Sequence, residues 1–499
     1  MKKKQIYLYL LIALFIFALA LRLSIAFQSP NFEVEEAYFN FRQVESIKGS
    51  FLPSYLDDLS YSGRTHIFPP VYYYLLSAFS FFIGTALTLK IIPNLLACSL
   101  IIIIYLIAQH ITGNRNISLF SAASAAFLPV FFVNTINSAS ILSFTLPLIF
   151  YLIYCFMRIK ERKYLHQFLF AAFILSLTSA ISFLFVFAML IYLLLVKLEY
   201  KVQNKIELEV ILFVTFLTLW VNALIYKKAF LFHSYALIWQ NIPVQVLTAY
   251  FRDIDIVASV TNVGLLTLLL GVYAVYRYMF KERDRRTYLL MGFALAVTIL
   301  LWFKLITLDI GLMFLGAILI PLMSQALNLF FKYVDMTKIV NYKPYFWIPL
   351  VLLLIITSVL PAVGKASVMM TESVSADEVR AMAWLKDNTP DDSVILSTVG
   401  EGTIIAAIAQ RKNVADDDFI LIRFSDDMLD DVERMYTSFF KSQAVEVMDK
   451  YGVDYVYFSP RARAEFGIEE LKYAEPDCFE LVYDQDIKIY RTLCELKAA

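Results

Sequence analysis

The stretch FEVEEAYFNFR, residues Phe32 to Arg42, directly follows the first long apolar run of the chain. It places three carboxylates, those of Glu33, Glu35 and Glu36, beside aromatic side chains, an amide and an arginine. An acidic cluster at such a position can act as a general base on an acceptor nucleophile or hold a divalent cation. Glu35 and Glu36 are therefore candidate catalytic residues, and Glu36 with Glu33 is a candidate metal site. The alternative is a solvated loop with scattered acids.

The composition of the chain is that of a membrane protein with several spanning helices. Of its 499 residues 60% are hydrophobic, and the mean hydropathy is +0.66, which no soluble domain of this size carries. The formal net charge is zero, but residues from Thr371 onward hold 14 basic and 27 acidic residues, a net charge of −13. A basic membrane part and an acidic tail predict two bodies in different places. The basic residues cluster in loops between apolar runs, which gives no indication of nucleic-acid binding.

Apolar runs of spanning length predict about eleven transmembrane helices. We place them at residues 6–27, 86–110, 117–133, 141–157, 165–180, 181–197, 208–226, 257–278, 287–303, 308–331 and 345–364. The basic clusters between them put the N-terminus in the cytoplasm and the tail outside. Residues 28–70 then form an external loop. Phe68 to Ile83 is apolar but shorter than the ~20 residues of a span, and we expect it to lie along the membrane surface inside that loop.

The tail, residues 371–499, is predicted to be a soluble α/β domain. The pattern indicates helices at 376–387, 402–409 and 441–451 and strands at 393–397 and 455–459. Cys478 and Cys494 flank a segment that reads as a hairpin turning near Gln485. They form a cross-strand disulfide if the tail faces an oxidising space, and two free thiols are the alternative. The acidic run 416–418 is given no role, because such runs are usually solvated turns.

The segment EEAYFNFR, together with SYSGRTHIFPPVYYYLLSAF from Ser60 to Phe79, resembles the first external loop of the GT-C glycosyltransferases. These membrane enzymes move a sugar or glycan from a polyprenyl-phosphate carrier to an acceptor. The most similar branch is the catalytic subunit of oligosaccharyltransferase, whose signature is FDPWFNYR. In this alignment Glu36 stands at the aspartate position, and the aromatic, amide and arginine residues that follow it match. A second register, to the DEAxY form of other GT-C families, selects Glu35 instead.

The resemblance implies a polytopic α-helical membrane protein with the GT-C fold and a C-terminal extracytoplasmic α/β domain. The expected domains are a transmembrane glycosyltransferase domain, residues 1–370, with its first external loop at 28–85, and the extracytoplasmic domain, residues 371–499. The implied function is transfer of a sugar or oligosaccharide from a polyprenyl-phosphate or polyprenyl-pyrophosphate carrier to a protein or glycan acceptor, at the outer face of the cell membrane. Mg²⁺ or Mn²⁺ is the candidate cofactor.

Three motifs of the oligosaccharyltransferase pattern are absent from this sequence. No carboxylate stands between Asn137 and Ser140, where the family carries a second acidic motif that completes its metal site. Gly311 falls where the family has an arginine for the carrier phosphate. TVGEG, from Thr398 to Gly402, replaces the WWDYG block that recognises the acceptor sequon. Ordinary sequon recognition is therefore not expected. The same departures support an alternative function as a non-catalytic relative that binds a glycan or an assembly partner.

Two residues of the first external loop are candidate substrate-binding groups. Arg42 contacts a phosphate through its planar guanidinium group, or it pairs internally with Glu36 or Glu45. His66 directly precedes the Phe-Pro-Pro stretch, and no other histidine lies near it in the sequence.

Lys304 and Asp309 are two further candidates for binding substrate. They lie near the external ends of two apolar spans, and a charge at the centre of a membrane costs ~2.5–3.5 kcal/mol, so such residues are functional by default. The alternative is a Lys304–Asp309 ion pair at the interface, with the lysine reaching toward water. Asp253 and Asp255 are weaker candidates for a glutamate that the family carries in a later external loop.

Overall fold

The structure, a computed structural model, describes residues 2–199, 205–234, 255–282, 285–371 and 373–495. The chain divides into two compact units. We call Met1–Pro30, Pro69–Ile225 and Tyr250–Thr371 the helical unit, and Asn31–Phe68, Tyr226–Ala249 and Glu372–Ala499 the α/β unit. The division drawn from the sequence assigned the whole first external loop to the membrane domain. In the structure most of that loop is grouped with the C-terminal residues.

The helical unit consists of α-helices joined mainly by short turns. Its described helices are Lys2–Ala26, Val71–Ile83, Thr85–Thr112, Arg115–Ala126, Pro129–Val133, Leu142–Met157, Arg162–Ser176, Ser182–Glu199, Lys205–Ile225, Ile256–Val263, Leu265–Arg277, Arg285–Trp302, Leu308–Asp335, Trp347–Leu354 and Leu360–Thr371. Two π-helical turns, Tyr278–Glu282 and Ile355–Val359, and the 3-10 helix Val340–Phe346 continue some of them.

Six of the described helical stretches are long and apolar enough to cross a membrane. They are Gln5–Ala26, Thr85–Thr112, Ser182–Glu199, Lys205–Ile225, Leu308–Asp335 and a run within Val340–Asn388. The bent pair Ile256–Val263 and Leu265–Arg277 makes a seventh if it is one span. The chain is a multi-pass membrane protein, as its composition predicts. The described helices do not confirm the count of eleven.

Two of the predicted spans are interrupted, one next to a proline and the other at a glycine. The span predicted at 117–133 is divided into Arg115–Ala126 and Pro129–Val133, because proline fits the first turn of a helix and disrupts its interior. The span predicted at 257–278 bends by 91°. The bend lies at Gly264, whose φ of +89° belongs to the left-handed region that favours glycine.

A buried lysine fixes the end of the first helix, where the chain leaves for the external loop. Lys90 is 4% exposed, and its Nζ donates to the carbonyl oxygens of Ala26 at 3.0 Å and Ser29 at 2.5 Å. Ala26 ends the helix, and its carbonyl has no partner within that helix. The negative end of the helix dipole also attracts a cation. The lysine therefore stabilises the exit of the chain, a role that the sequence pattern does not indicate.

The α/β unit contains seven described strands. In chain order they are β1 (Leu56–Asp57), β2 (Arg64–Thr65), β3 (Val394–Leu396), β4 (Lys412–Asn413), β5 (Tyr455–Phe458), β6 (Phe479–Asp484) and β7 (Lys488–Thr492). β1 and β2 form an antiparallel pair. The other five form a mixed sheet in the order β4-β3-β5-β7-β6, with β3 parallel to β4 and β5, and β7 antiparallel to β5 and β6.

The α/β unit also contains eight described helical segments. They are Glu35–Ser50, the 3-10 turn Ser60–Ser62, Lys227–His233, Ala376–Asn388, Val399–Ile408, Ser425–Thr437, Lys441–Tyr451 and Pro460–Phe466. β3 and β5 are buried at every position, as expected for apolar strands covered on both faces. The helices and strands predicted for the tail are present. The sequence reading missed β4, which is only two residues long, and the helices Ser425–Thr437 and Pro460–Phe466.

The two C-terminal cysteines form a disulfide between Cys478 and Cys494. The hairpin between them turns after β6 at Asp484 and returns as β7 from Lys488, as predicted. Of the two alternatives that the sequence left open, the structure has the crosslink. Cys98 and Cys155 are free and buried.

Replacing Cys478 and Cys494 together by serine should lower the free energy of unfolding of the α/β unit by about 2–4 kcal/mol, because the crosslink restricts the unfolded chain between residues 16 apart. Thermal unfolding of the full-length protein without reductant measures this. Wild-type protein treated with reductant is the matched control and should unfold with the variant. An unfolding temperature equal to that of the oxidised wild type would contradict the prediction.

Candidate functional site

The stretch that opens the first external loop forms a helix, Glu35–Ser50. It begins after Val34, whose backbone is extended, and it carries Glu35 and Glu36 in its first turn. Carboxylates there interact favourably with the positive end of the helix dipole. The inner face is buried, and the ring of Tyr38 on that face contacts Phe32 edge-on at 5.9 Å between centroids. The two candidate catalytic acids are thus held on a helix rather than on a mobile loop.

The carboxylate of Glu35 lies directly against a glycine of the C-terminal part of the α/β unit. A Cβ atom added to Gly400 would lie 2.8 Å from Glu35 Oε1, so a side chain at that position would displace the carboxylate. Burial raises the pKa of Glu35, while a backbone hydrogen bond and the charge of Arg461 oppose the shift. A carboxylate with a raised pKa binds a proton more strongly, which suits a general base.

A second carboxylate with a raised pKa shares this environment. Burial, followed by the charges of Asp416, Glu35 and Asp418, raises the pKa of Asp417 to about 7. The pKa of Asp417 is thus well above that of an ordinary aspartate, and the charge of Glu35 is one cause. The hydroxyl of Thr403 donates to Asp417 Oδ1 at 3.2 Å. The sequence analysis treats this acidic run as a solvated turn, whereas in the structure Asp416 is buried and Asp417 and Asp418 are half-buried.

The segment TVGEG, which stands where the tryptophan block was expected, forms the start of the helix Val399–Ile408. Glu401 Oε2 accepts hydrogen bonds from the backbone N–H of Thr398 at 3.3 Å and from its hydroxyl at 2.9 Å, a capping box that begins the helix. Burial raises the pKa of Glu401 to about 7. A Cβ atom on Gly402 would collide with the backbone carbonyl of Ala415. These glycines let the helix approach both Glu35 and the acidic run.

Arg42 is engaged in a bidentate ion pair with Asp57. Its Nη1 and Nη2 lie 2.7 Å and 2.6 Å from the two carboxylate oxygens. Asp57 also accepts a hydrogen bond from the backbone N–H of Leu59 at 3.0 Å. Burial alone would raise the pKa of Asp57, but hydrogen bonds from His66 and Arg42 and the charge of Arg42 hold it well below the usual range. Arg42 thus pairs internally, although with Asp57 and not with either of the glutamates named from the sequence.

His66 lies between two carboxylates. It is 3% exposed, its Nε2 is 3.0 Å from Asp57 Oδ2, and its Nδ1 is 3.0 Å from Asp418 Oδ2. Burial alone would lower the pKa of His66, but the hydrogen bonds to Asp418 and Asp57 raise it above the ordinary value. The two carboxylates favour the protonated ring, while Arg64 Nη2, 3.2 Å from Nδ1, opposes protonation by its charge.

Arg64 extends these contacts to Asp416. Its Nη2 lies 3.1 Å from a carboxylate oxygen of Asp416 and 3.1 Å from one of Asp418, and its Nη1 donates to the Asp418 carbonyl. The hydroxyl of Ser60 also donates to Asp416. We refer to the connected side chains as the ion network, and its members are Arg42, Asp57, Arg64, His66, Asp416 and Asp418. The ion network joins the first external loop to the acidic run, 350 residues later in the chain.

Among the described residues, none joins Glu33 and Glu36 as a third ligand of the predicted metal site. Glu33 is buried and Glu36 is half-buried. The described part of the chain contains no group of three His, Cys, Asp or Glu side chains arranged to hold a metal ion. Asp255 instead caps the helix Ile256–Val263 by accepting from the backbone N–H of Val257 at 2.9 Å. Asp253 lies outside the described residues.

The remaining candidates belong to the helical unit. Lys304 is exposed in the turn after the helix Arg285–Trp302, and Asp309 lies in the first turn of Leu308–Asp335. The sequence reading missed a third charged residue there. Lys365 Nζ donates to Asn262 Oδ1 at 2.5 Å and to the hydroxyl of Thr261 at 3.2 Å. Asp309 interacts electrostatically with it.

The fold is shared with solved structures of membrane proteins. The oligosaccharyltransferase of Archaeoglobus fulgidus, tethered with an acceptor peptide containing the NVT sequon, is 15% identical over 92% of this chain and 69% of that one, with a TM-score of 0.72. AglB of the same organism, in complex with an inhibitory peptide and a dolichol-phosphate, is 14% identical over 91% and 69%, with a TM-score of 0.69.

ArnT from Cupriavidus metallidurans, bound to undecaprenyl phosphate, matches over 98% of this chain and 99% of that one, with 12% identity and a TM-score of 0.57. No protein-family profile matches the chain, and no curated protein sequence does. At 12–15% identity the similarity establishes a common fold. The predicted resemblance to GT-C membrane glycosyltransferases, and to oligosaccharyltransferase among them, is confirmed at that level.

The stability of the protein should fall as the pH rises above about 6.5, and His66→Gln should remove a part of that fall. The pKa of His66 is raised on folding, so its stabilising contribution is complete below the unfolded pKa of about 6.5 and is lost as the pH rises through the folded pKa. Thermal unfolding of the full-length protein between pH 5.5 and 8.5 measures it.

His166→Gln is the matched control for that series, because His166 is exposed and its Nδ1 lies 2.7 Å from the carbonyl of Arg162. The stabilising contributions of Asp417 and Glu401 also decrease as the pH rises toward 7, but they decrease equally in the wild type and in His66→Gln. The difference between wild type and His66→Gln therefore reports His66. Parallel pH profiles for those two proteins would mean that folding does not change the pKa of His66.

Proposed function

We propose that this chain is a GT-C glycosyltransferase that moves a sugar or oligosaccharide from a polyprenyl-phosphate or polyprenyl-pyrophosphate carrier to a protein or glycan acceptor. The fold that it shares with oligosaccharyltransferase and with ArnT supports the reaction class. Those proteins have been solved with dolichol-phosphate and with undecaprenyl phosphate, which supports a polyprenyl carrier for this one. The acceptor is not an ordinary sequon, because the tryptophan block is replaced by a tightly packed helix start.

The pair Glu35 and Asp417 is the observation on which the proposal rests. Both carboxylates have raised pKa values, caused first by burial, and the charge of one acts on the other. Structural acids on a protein surface are normally paired with cations and have lowered pKa values, as Asp57 has in the ion network. Two partly buried acids, one of which acts electrostatically on the other, are costly to the fold, and such perturbed groups are concentrated at functional sites.

In the proposed reaction the nucleophilic atom of the acceptor attacks the anomeric carbon of the carrier-linked sugar. The new bond to carbon forms while the bond from carbon to the carrier phosphate oxygen breaks, and the electron pair of the broken bond leaves with the phosphate. Glu35 takes the proton that the nucleophile loses. We assign this role to Glu35 in preference to Glu36 because its carboxylate is fixed against Gly400. Asp417, whose pKa is raised to about 7, is the second group that exchanges protons there.

The carrier phosphate needs a cation, and Arg42 cannot supply one because Asp57 neutralises it. We propose that Lys365, within the helical unit, binds that phosphate, while Lys304 stays a candidate for the same role. Lys365 is held by two neutral oxygens, those of Asn262 and Thr261. Lys365 directly follows the last predicted span, residues 345–364, and a charged residue at the end of a span is a functional candidate.

We also propose that the N-terminus is cytoplasmic and that the α/β unit lies outside the membrane. The basic clusters of the sequence support this topology. The disulfide between Cys478 and Cys494 supports it too, because disulfides persist in oxidising compartments and are rare in the cytoplasm.

Glu35→Gln should lower the rate of glycosyl transfer by about 10²–10⁴-fold, because glutamine cannot accept the proton. Glu36→Gln should retain most of the activity. The measurement is release of free polyprenyl phosphate or pyrophosphate by the full-length protein in nanodiscs, supplied with a panel of polyprenyl-linked sugars and with peptide and glycan acceptors. Both variants remove one carboxylate from the same helical turn, so they form a matched pair.

Glu45→Gln serves as a further control on the same helix, since Glu45 is exposed and pairs with Lys48. Full activity in Glu35→Gln would remove Glu35 from the mechanism. If the wild-type protein transfers no sugar but its unfolding temperature rises with a polyprenyl-linked sugar, the non-catalytic binding function gains the support instead.

Lys365→Gln should raise the KM for the polyprenyl-linked donor by about tenfold or more, because a hydrogen bond to a charged group contributes roughly 1.5–3 kcal/mol. Lys365→Arg keeps the charge and should come closer to wild type. Donor titrations in the same nanodisc assay give KM and kcat separately. An unchanged KM in the glutamine variant would exclude Lys365 from donor binding without touching the role of Glu35.

A further inference from the structure

A groove on the surface of the α/β unit is lined by basic and apolar side chains. Its volume is about 640 Å³, and three basic residues line it, Arg64, Lys228 and Arg423. No aspartate or glutamate belongs to the described lining. Arg64 is neutralised by the acidic run of the ion network. The charge that remains for a ligand is therefore that of Lys228 and Arg423, in a unit whose C-terminal part is strongly acidic.

The two walls of the groove contact each other directly. One wall is the short helix Lys227–His233, and the other is the segment 421–423 with Met428. The Nε2 atom of His233 lies 3.0 Å from the carbonyl oxygen of Ile420. The guanidinium of Arg423 stacks over the ring of Phe232 at 4.5 Å, which orients the charge toward the groove without neutralising it.

Two large apolar side chains beside these charges face solvent. Leu231, in the groove wall, is 76% exposed, and Phe424, the residue after Arg423, is 77% exposed. Phe424 has φ +56°, a backbone conformation that bulky residues rarely adopt. Exposed apolar groups next to unpaired basic ones are typical of a surface that meets the interfacial region of a membrane.

The position of this surface along the chain points to the same partner. The apolar helix Lys205–Ile225 is long enough to cross a membrane, and Lys227–His233 begins two residues after it ends. At 1.5 Å per residue, Lys228 follows the end of that helix within one turn. A lysine so close to the end of a spanning helix is at the depth of lipid headgroups, where its ammonium contacts phosphate.

We propose that the groove binds the phosphate-bearing headgroup of an anionic membrane phospholipid, with Leu231 and Phe424 resting in the acyl boundary. Lys228 and Arg423 supply the positive charge, and the two apolar side chains supply the area that leaves water. This site is separate from the pair Glu35 and Asp417. It does not depend on the proposed glycosyl transfer.

A spin label on Phe424→Cys tests the proposal in the full-length protein, reconstituted in nanodiscs of mixed phosphatidylglycerol and phosphatidylcholine. The label should be more accessible to oxygen, which concentrates in lipid, than to a water-soluble nickel chelate. The unsubstituted protein sets the labelling background, because Cys98 and Cys155 are buried. Phe440→Cys is the matched control, since Phe440 is also an exposed phenylalanine of the α/β unit and the lysine that follows it, Lys441, is paired with Glu475 and Asp477; its label should report water.

Adding Lys228→Gln and Arg423→Gln to the labelled protein should lower the lipid-contacting fraction roughly fivefold for each charge removed. Lys228→Arg with Arg423→Lys should preserve it, and thermal unfolding checks that every variant is folded. A label that reports water in the parent protein would overturn the proposal. Lipid contact of the label that remains after both charges are removed would contradict the headgroup site. Lipid contact that appears only after polyprenyl phosphate is added would show that the groove binds the glycan carrier instead.

Discussion

His66 sits between the carboxylates of Asp57 and Asp418, and this contact joins two parts of the chain that are otherwise far apart in sequence. The loop contributes three cations, Arg42, Arg64 and His66, and the acidic run contributes two of the three anions that balance them. Removing one member of a buried ion pair is strongly destabilising, by about 3–5 kcal/mol, because the partner is left as an uncompensated charge. Loss of one member of the ion network is therefore expected to disturb the geometry of the candidate site as well.

The ion network holds the acidic run on both sides of Asp417. Its neighbours, Asp416 and Asp418, are paired with Arg64 and His66, so the backbone of the run has little freedom to move Asp417. Gly402 lets the helix Val399–Ile408 pack against the backbone of the same run, and Gly400 leaves space for the carboxylate of Glu35. Asp416 and Asp418, which are paired with basic residues, thus position Asp417, which has no such partner among the described residues. Such a division of roles is expected where a fold retains an unfavourable charge for use in chemistry.

The sequence predicted the architecture better than the site. Composition and apolar runs were enough for a multi-pass membrane protein with an α/β tail, and the cysteine spacing was enough for the hairpin. The number of membrane spans was harder to predict, since a single glycine bends one predicted span by 91° and a proline divides another. The position of Glu35 and Glu36 was evident, but the choice between them depends on which carboxylate meets Gly400, a contact across more than 360 residues. The acidic run looked solvated because its cationic partners lie in the first external loop.

The α/β unit is assembled from three separated pieces of chain, and its ion network needs the first and the last of them. During synthesis the ribosome produces the segment Asn31–Phe68 long before the residues that neutralise it. Arg64 and His66 meet their carboxylate partners in the acidic run only after more than 340 further residues have been made. Completion of the ion network is consequently a late event in the synthesis of the chain. A chain truncated before residue 416 is left with an orphaned loop, the kind of segment that quality-control proteases remove.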